Sequence, residues 1–141
     1  LKAKTRGKIK LYSLQENWLT TEYIILSEQY KRVIFYEKNE VIAEILKEVS
    51  NICDGCLVLF GSFAKGLDTK KSDIDLLLLG KYKRKELQKI ESMFNIEINI
   101  KTYSKEMFAK KFQSDHLLIE VLNSHIFIKG AEECLEMIRH G

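Results

Sequence analysis

Residues 57–79 read LVLFGSFAKGLDTKKSDIDLLLL, and the rest of the chain is arranged around them. The stretch opens with four apolar residues, a run that is typical of a buried strand, and Gly61 and Ser62 end that run. A basic loop follows, and a second apolar run then begins with Asp73 and Asp75 at its start. We therefore predict two strands, with polar residues where the first ends and where the second begins.

The two carboxylates lie two residues apart at the start of the second predicted strand. Residues i and i+2 of a strand project from the same face, so Asp73 and Asp75 should stand about 7 Å apart along the backbone. Carboxylates in this arrangement repel each other unless a cation lies between them, and their hard oxygens suit Mg²⁺ or Mn²⁺. Such ions stabilise the attacking and leaving oxygens of a phosphoryl displacement. The spacing therefore favours phosphoryl chemistry.

The turn that ends the first strand has features suited to a phosphate ligand. Gly61 lets a ligand approach the backbone closely, and Ser62 offers an N–H and a hydroxyl to phosphate oxygens. Lysines in the loop, among them Lys65, add positive charge where a triphosphate would lie. The alternative is an ordinary hairpin in which a Ser-Asp pair caps the turn. That alternative leaves unexplained why two acids occupy a run otherwise fit for a buried core.

The pattern GS-x10-DxD, which runs from Gly61 to Asp75, resembles the signature of the nucleotidyltransferase superfamily that includes DNA polymerase β. The compact form here, GSFAKG followed by SDIDLLLL, is most similar to the minimal nucleotidyltransferases, and the resemblance covers residues 41–141. It implies an α/β fold with a twisted mixed β-sheet and helices mainly on one face. Residues 37–141 would form this domain, and residues 1–36 would form a basic β-hairpin and a linking helix.

The resemblance also implies an activity, the Mg²⁺-dependent transfer of a nucleoside monophosphate, AMP from ATP, to an acceptor hydroxyl with release of pyrophosphate. Two Mg²⁺ ions, or Mn²⁺ in their place, would be held by Asp73 and Asp75. Gly61 and Ser62 would hold the β- and γ-phosphates, and Lys65 would steady the leaving pyrophosphate. The implied partner is a helical HEPN-type protein of a toxin–antitoxin pair, which would supply the acceptor.

A third carboxylate is expected from a neighbouring strand. Residues 95–103 alternate strictly, with isoleucines on one face and Glu97, Asn99 and Lys101 on the other. In the family, such a strand supplies the third acid, so Glu97 is the candidate for a metal ligand that also helps to deprotonate the acceptor. The chain departs here from the more frequent aspartate. The alternative is that Glu97 is a solvent-facing strand residue.

The N-terminus carries basic residues at even positions, among them Lys4, Arg6, Lys8 and Lys10. In a strand or hairpin that turns at Gly7, this alternation would place them on one face and the apolar residues on the other. The segment KTRGKIKLYSL resembles the wing of a winged-helix DNA-binding domain, whose recognition helix would lie upstream of a chain that begins at Leu rather than Met. The alternative is a flexible basic tail.

Two other functions compete with the enzyme. The first is a DNA-binding transcription regulator whose nucleotidyltransferase-like domain only senses nucleotides, with phosphate contacts from the basic hairpin. The second is a catalytically silent interaction module. Label transfer from ATP that Asp73→Ala removes would indicate the enzyme, and salt-dependent DNA binding that weakens when Lys8 and Lys10 are changed would indicate the regulator. A silent module would bind neither metal nor nucleotide.

Between the hairpin and the catalytic motif, residues 16–36 show the periodicity of an amphipathic helix. We predict that its apolar positions face the core: Leu19, Tyr23, Leu26, Tyr30, Val33 and Ile34. Use of the aromatic residues Tyr30, Phe35 and Tyr36 in a homodimer is the alternative. A second amphipathic helix is predicted to end near Asn51.

Length and composition limit the remaining possibilities. The chain has 141 residues and a formal net charge of +3, which suits one well-cored domain with an appendage and says little about partners. No apolar run is long enough for a membrane span and no signal-peptide pattern opens the chain, so we predict a cytoplasmic protein. Cys53 and Cys56 match C-x-x-C, but no second ligand pair accompanies them, and we expect buried free thiols.

Overall fold

The computed structural model describes residues 2–6, 9–13, 17–69 and 71–140. In chain order the helices and strands are β1 (Lys2–Arg6), β2 (Ile9–Ser13), α1 (Trp18–Lys38), α2 (Glu40–Asn51), β3 (Cys53–Phe60), α3 (Gly61–Lys65), β4 (Ile74–Tyr82), α4 (Arg84–Phe94), β5 (Ile98–Tyr103), α5 (Lys105–Lys111), α6 (His116–Asn123), β6 (Ile126–Lys129) and α7 (Ala131–His140). None of the helices in these ranges is both long and apolar enough to cross a bilayer.

Four strands form a mixed sheet in the order β5-β4-β3-β6. The central strand β3 pairs antiparallel with β4 and β6, while β4 pairs parallel with β5. The register aligns Phe60 with Asp75 and Ile74 with Ile98. The predicted α/β class and mixed sheet are therefore confirmed, and the end of β3 lies beside the start of β4.

Helices cover both faces of this sheet. On one face, Leu76 and Leu78 of β4 pack with residues of α1, α2 and α4. On the other, Leu77 and Leu79 pack with residues of α5, α6 and α7. The longer helices lie on the first face, but the helices are more evenly divided between the faces than we predicted. Because both faces are buried, β3 and β4 are continuous apolar runs rather than alternating ones.

Helix α1 faces the core with a different side from the one we predicted. Phe35 is its buried residue, and Arg32 donates from Nη1 to the backbone oxygen of Ile128 in β6 at 3.0 Å. The predicted core positions instead lie exposed, namely Leu19, Tyr23, Leu26, Tyr30 and Val33, and Ile34 is half-buried. The prediction was wrong because α1 carries two apolar faces, and periodicity does not tell which of them a sheet will cover.

Glu28 ties the inner face of α1 to the start of β6. Its carboxylate lies 2.9 Å from Lys31 Nζ and 3.4 Å from His125 Nε2. Burial would raise the pKa of Glu28, but His125 and Lys31 together outweigh burial, and the pKa lies below its ordinary value of 4.5. A carboxyl with a lowered folded-state pKa stabilises the fold above its ordinary pKa, and this stability is lost as the pH falls through the lowered value.

We therefore expect Glu28→Gln to reduce the free energy of unfolding at neutral pH. Below about pH 4.5, the free energy of unfolding should fall less in this variant than in the wild type. Urea unfolding at about pH 7 and about pH 3 measures both effects. Glu48→Gln, which changes an exposed glutamate of α2, is the matched control and should leave the pH dependence as it is. If Glu28→Gln lost as much stability between neutral and acid pH as the wild type does, the proposed role of Glu28 would be contradicted.

The three cysteines are free and buried, as predicted. Burial raises the pKa of the Cys53 thiol to about 11. A hydrogen bond with Cys134 and burial together raise the pKa of Cys56. Cys56 thus pairs with a residue of α7 rather than with its C-x-x-C neighbour, and the raised pKa values keep the Cys53 and Cys56 thiols protonated at neutral pH.

Strands β1 and β2 pair antiparallel, so the predicted N-terminal hairpin forms. The predicted turn residue and Lys8 lie outside the described residues. The register corrects one prediction, because Lys4 pairs with Leu11 and Thr5 pairs with Lys10. Cross-strand partners share a face, so position 10 lies on the face opposite to position 4. This follows from the register, which pairs every even position of β1 with an odd position of β2.

Candidate functional site

The glycine of the GS pair lies directly against one of the two carboxylates. Phe60, the last residue of β3, pairs with Asp75 in β4, and Gly61 follows with a φ of 73°, in the left-handed region. A Cβ added to Gly61 would lie 2.5 Å from Asp75 Oδ2. Because both the backbone conformation and the space exclude a side chain, the sequence requires glycine at this position.

Ser62 lies in the short helix α3 that begins directly after β3. The first N–H groups of a helix have no intrahelical partner, so this turn presents donors at the edge of the sheet. Ser62 is half-buried, and no hydrogen bond joins its hydroxyl to another residue that the structure describes. Its backbone oxygen accepts from Leu67 N at 2.9 Å, which closes the turn behind it. The serine hydroxyl is therefore available to a ligand.

Asp75 is the second residue of β4 and Asp73 directly precedes the strand, and both are half-buried. Asn99 in β5 is aligned with Asp75, and its Nδ2 donates to Asp75 Oδ1 at 3.3 Å. Within the described ranges, Asp73 makes no hydrogen bond or ion pair. Gly61 and Asn99 thus contact the Asp75 carboxylate from two sides, whereas the Asp73 carboxylate has no hydrogen-bond or ion-pair partner in the part of the chain that the structure describes.

Asn99 is a site residue that we did not single out. Its signal was present, because the strict alternation of residues 95–103 puts it on the same side as Glu97. The choice between these two positions depends on the register of β5 against β4, which aligns Asn99 rather than Glu97 with Asp75. No pattern within a single strand contains that register.

Glu97 lies one residue before β5, and its backbone oxygen accepts from Ile74 N at 3.0 Å. Its neighbour Ile98 belongs to the core under the first face of the sheet, so by alternation position 97 is on the same side as Asp75. The Glu97 side chain is exposed. Among residues 17–69 and 71–140 no three His, Cys, Asp or Glu side chains form a group that could hold a metal ion. The third-acid role of Glu97 stays a prediction.

Lys65 closes α3, and its Nζ lies 3.0 Å from Glu120 Oε1 in α6. Both side chains are well exposed, and exposed ion pairs of this kind contribute little to stability. The pair therefore leaves Lys65 free to exchange Glu120 for a stronger anion at low energetic cost.

The donors at this edge of the sheet fit a hard divalent cation. They are the carboxylate oxygens of Asp73 and Asp75, joined by the amide of Asn99, and oxygen ligands of this kind suit Mg²⁺ or Mn²⁺. Because Gly61 has no Cβ, the backbone of the GS turn can approach the Asp75 carboxylate closely. The arrangement can hold a cation next to the GS turn.

The chain matches a known protein family and is similar to solved structures. A family model described as "Nucleotidyltransferase domain" matches residues 39–137. Similar solved structures include a toxin–antitoxin with AMP-PNP, at 18% identity and a TM-score of 0.43, covering 70% of this chain and 82% of that one. Another is a mutant of the toxin–antitoxin MntA-HpeT, at 16% identity and a TM-score of 0.43, covering 72% and 84%. No curated protein matches the chain.

Proposed function

Because this chain belongs to the nucleotidyltransferase domain family, we propose that it transfers AMP from ATP to an acceptor hydroxyl and releases pyrophosphate. One observation carries the proposal: Gly61 of the GS turn packs against the Asp75 carboxylate, so a nucleotide bound at the turn would lie beside the acids. The two halves of the GS-x10-DxD pattern, which ten residues separate in the sequence, would thereby form one site.

In the proposed complex the GS turn binds the tail of the nucleotide. Gly61 lets the β- and γ-phosphates approach the backbone, and Ser62 donates its N–H and hydroxyl to their oxygens. Lys65 leaves Glu120 and pairs with the pyrophosphate, whose higher charge outcompetes a single exposed carboxylate.

The carboxylates form the other half of the site. Asp73 and Asp75 would hold Mg²⁺, with Mn²⁺ as a substitute, and Asn99 would keep the Asp75 carboxylate in position. When bound, the divalent ions neutralise the negative charge that develops on the transferring phosphate. The proposed number of ions is two, with Glu97 as a further ligand.

The reaction that this site would support is an in-line displacement. The acceptor oxygen forms a bond to the α-phosphorus, and the bond from that phosphorus to the bridging oxygen breaks. The electron pair leaves with pyrophosphate, and the acceptor proton passes to the Glu97 carboxylate, which is solvent-accessible and can release it to water. As the acceptor we propose a hydroxyl of a helical HEPN-type protein, by resemblance to the minimal nucleotidyltransferases.

The position of the radiolabel tests the reaction class. We expect α-labelled ATP with Mg²⁺ and a candidate HEPN-type protein to leave label covalently on the acceptor, and γ-labelled ATP to leave none. Label from the γ-position would instead indicate phosphoryl transfer. Absence of transfer from either nucleotide, while calorimetry shows ATP binding to the folded protein, would overturn the proposal in favour of nucleotide sensing.

Pairing of β1 with β2 supports a second candidate function, DNA binding through the N-terminal hairpin. Lys4 and Arg6, two residues apart in β1, would contact phosphates, which strengthens binding without reading sequence. We expect salt-dependent binding of duplex DNA that weakens in Lys4→Ala/Arg6→Ala, with the salt slope falling by about one for each lost contact. Lys85→Ala, at an exposed position of α4, is the control. Equal binding by both variants would refute this function.

A further inference from the structure

The outward side of α1 carries an apolar stripe, which we define as Leu19, Tyr23, Leu26, Tyr30 and Val33. Their exposed fractions are 44%, 64%, 61%, 67% and 49%. The intervals between them are four, three, four and three residues. An average of 3.5 residues is the repeat by which two helices pack along a shared seam in a coiled coil.

The stripe is a second face of α1, distinct from the face through which the helix packs against the core. On a helix with about 3.6 residues per turn it points away from Glu28 and Phe35, which contact the rest of the chain. Arg32 adds hydrogen bonds from the inner side of α1 to β6. The helix is thus fully anchored through one face, and its second face remains directed into solvent.

The exposed area of the stripe suits a dimer interface. With about 200 Å² of accessible surface for a large side chain, the five residues expose roughly 600 Å² together. Each partner of a standard protein interface buries about 800 Å². The stripe by itself therefore supplies most of the area that a stable dimer requires, and residues that flank it can supply the remainder.

The composition of the stripe suits a second copy of the same helix. In a two-fold interface the same patch faces itself, so charged residues within it would meet like charges. The stripe contains none, and the nearby cation Lys31 is already paired with Glu28 at 2.9 Å. Tyrosine alternates with leucine or valine along the seam, so rings on one helix can enter the gaps beside smaller side chains on the other.

We propose that the protein is a homodimer in which α1 of one protomer packs along α1 of its partner through this stripe. The inference does not depend on the enzymatic proposal, because α1 lies outside the GS turn and the carboxylate edge. A dimer also explains why this face of α1 is apolar, although it would be exposed to water in a single chain.

Sedimentation equilibrium of the full chain tests the proposal. We expect a mass of twice the 16.5 kDa chain mass and, in Tyr30→Glu and in Leu26→Glu, a dimer Kd raised by about 30-fold or more. Both variants should keep the circular dichroism spectrum, because both side chains are exposed in the single chain. Met93→Glu is the matched control, since Met93 is 74% exposed but lies on α4.

Two results would overturn the dimer. One is a monomer at all concentrations of the wild-type chain, which would leave the stripe to a different protein. The other is a dimer that Tyr30→Glu and Leu26→Glu weaken no more than Met93→Glu does, which would place the interface elsewhere.

Discussion

Asp73→Asn should lower the rate of AMP transfer by roughly 10³-fold, because the substitution removes one of the two carboxylates proposed to hold the catalytic cations. Charge stabilisation by such cations is worth several kcal/mol, and about 4 kcal/mol corresponds to that factor. Asparagine keeps the shape of the side chain, and Asp73 makes no bond to another residue that the structure describes, so the fold should survive. The rate is measured with α-labelled ATP.

A stability measurement separates the metal role from a general loss of charge. Without Mg²⁺, Asp73→Asn should unfold at the same temperature as the wild type or above it, because one of two neighbouring like charges is gone. Mg²⁺ should raise the unfolding temperature of the wild type but not of the variant. Asp54→Asn, at an exposed position of β3 far from its GS end, is the control and should keep both activity and the Mg²⁺ response. Full activity in Asp73→Asn would rule out the proposed site.

Gly61→Ala should reduce AMP transfer by about 10²-fold. The new Cβ would lie 2.5 Å from Asp75 Oδ2, so the carboxylate must move. A displacement of about 1 Å in a catalytic site can cost a factor of this size. The left-handed φ of 73° adds about 1 kcal/mol of strain for alanine, which should appear in urea unfolding.

Gly66→Ala provides a matched control for this substitution. Gly66 has a φ of 70°, close to that of Gly61, but no atom lies within 4 Å of a Cβ built on it. Both variants should therefore lose the stability that a left-handed alanine costs, Gly61→Ala should lose more because Asp75 must also move, and only Gly61→Ala should lose activity. Equal activity losses in the two variants would show that strain in the turn matters, and not the contact with Asp75.

Much of the site could be predicted because it depends on neighbours in sequence. The end of β3, the GS turn and the start of β4 all lie within residues 57–79, and local composition identifies each of them. The family match over residues 39–137 confirms the resemblance that this stretch suggested. The contact between Gly61 and Asp75 was implicit in that pattern, since the register of one antiparallel pair aligns Phe60 with Asp75.

The residues that we missed or misplaced share one cause, which is the pairing of distant elements. Alternation in residues 95–103 placed Glu97 and Asn99 on one side, but only the parallel register of β5 against β4 put Asn99 beside Asp75. In the same way, residues 16–36 contain two apolar faces, and only packing against β6 selected the one with Phe35 for the core. The stripe that we assigned to the core became an exposed surface.

Local residue order was enough to predict the strands, the turn between them and the family, since these follow from backbone preferences and side-chain periods within a few residues. The partner of Asp75, the buried side of α1 and the face of each hairpin position depended on the assembled fold. Shifting a strand by one residue exchanges its two faces. Such choices depend on how all the elements pack together, and no single segment contains that information.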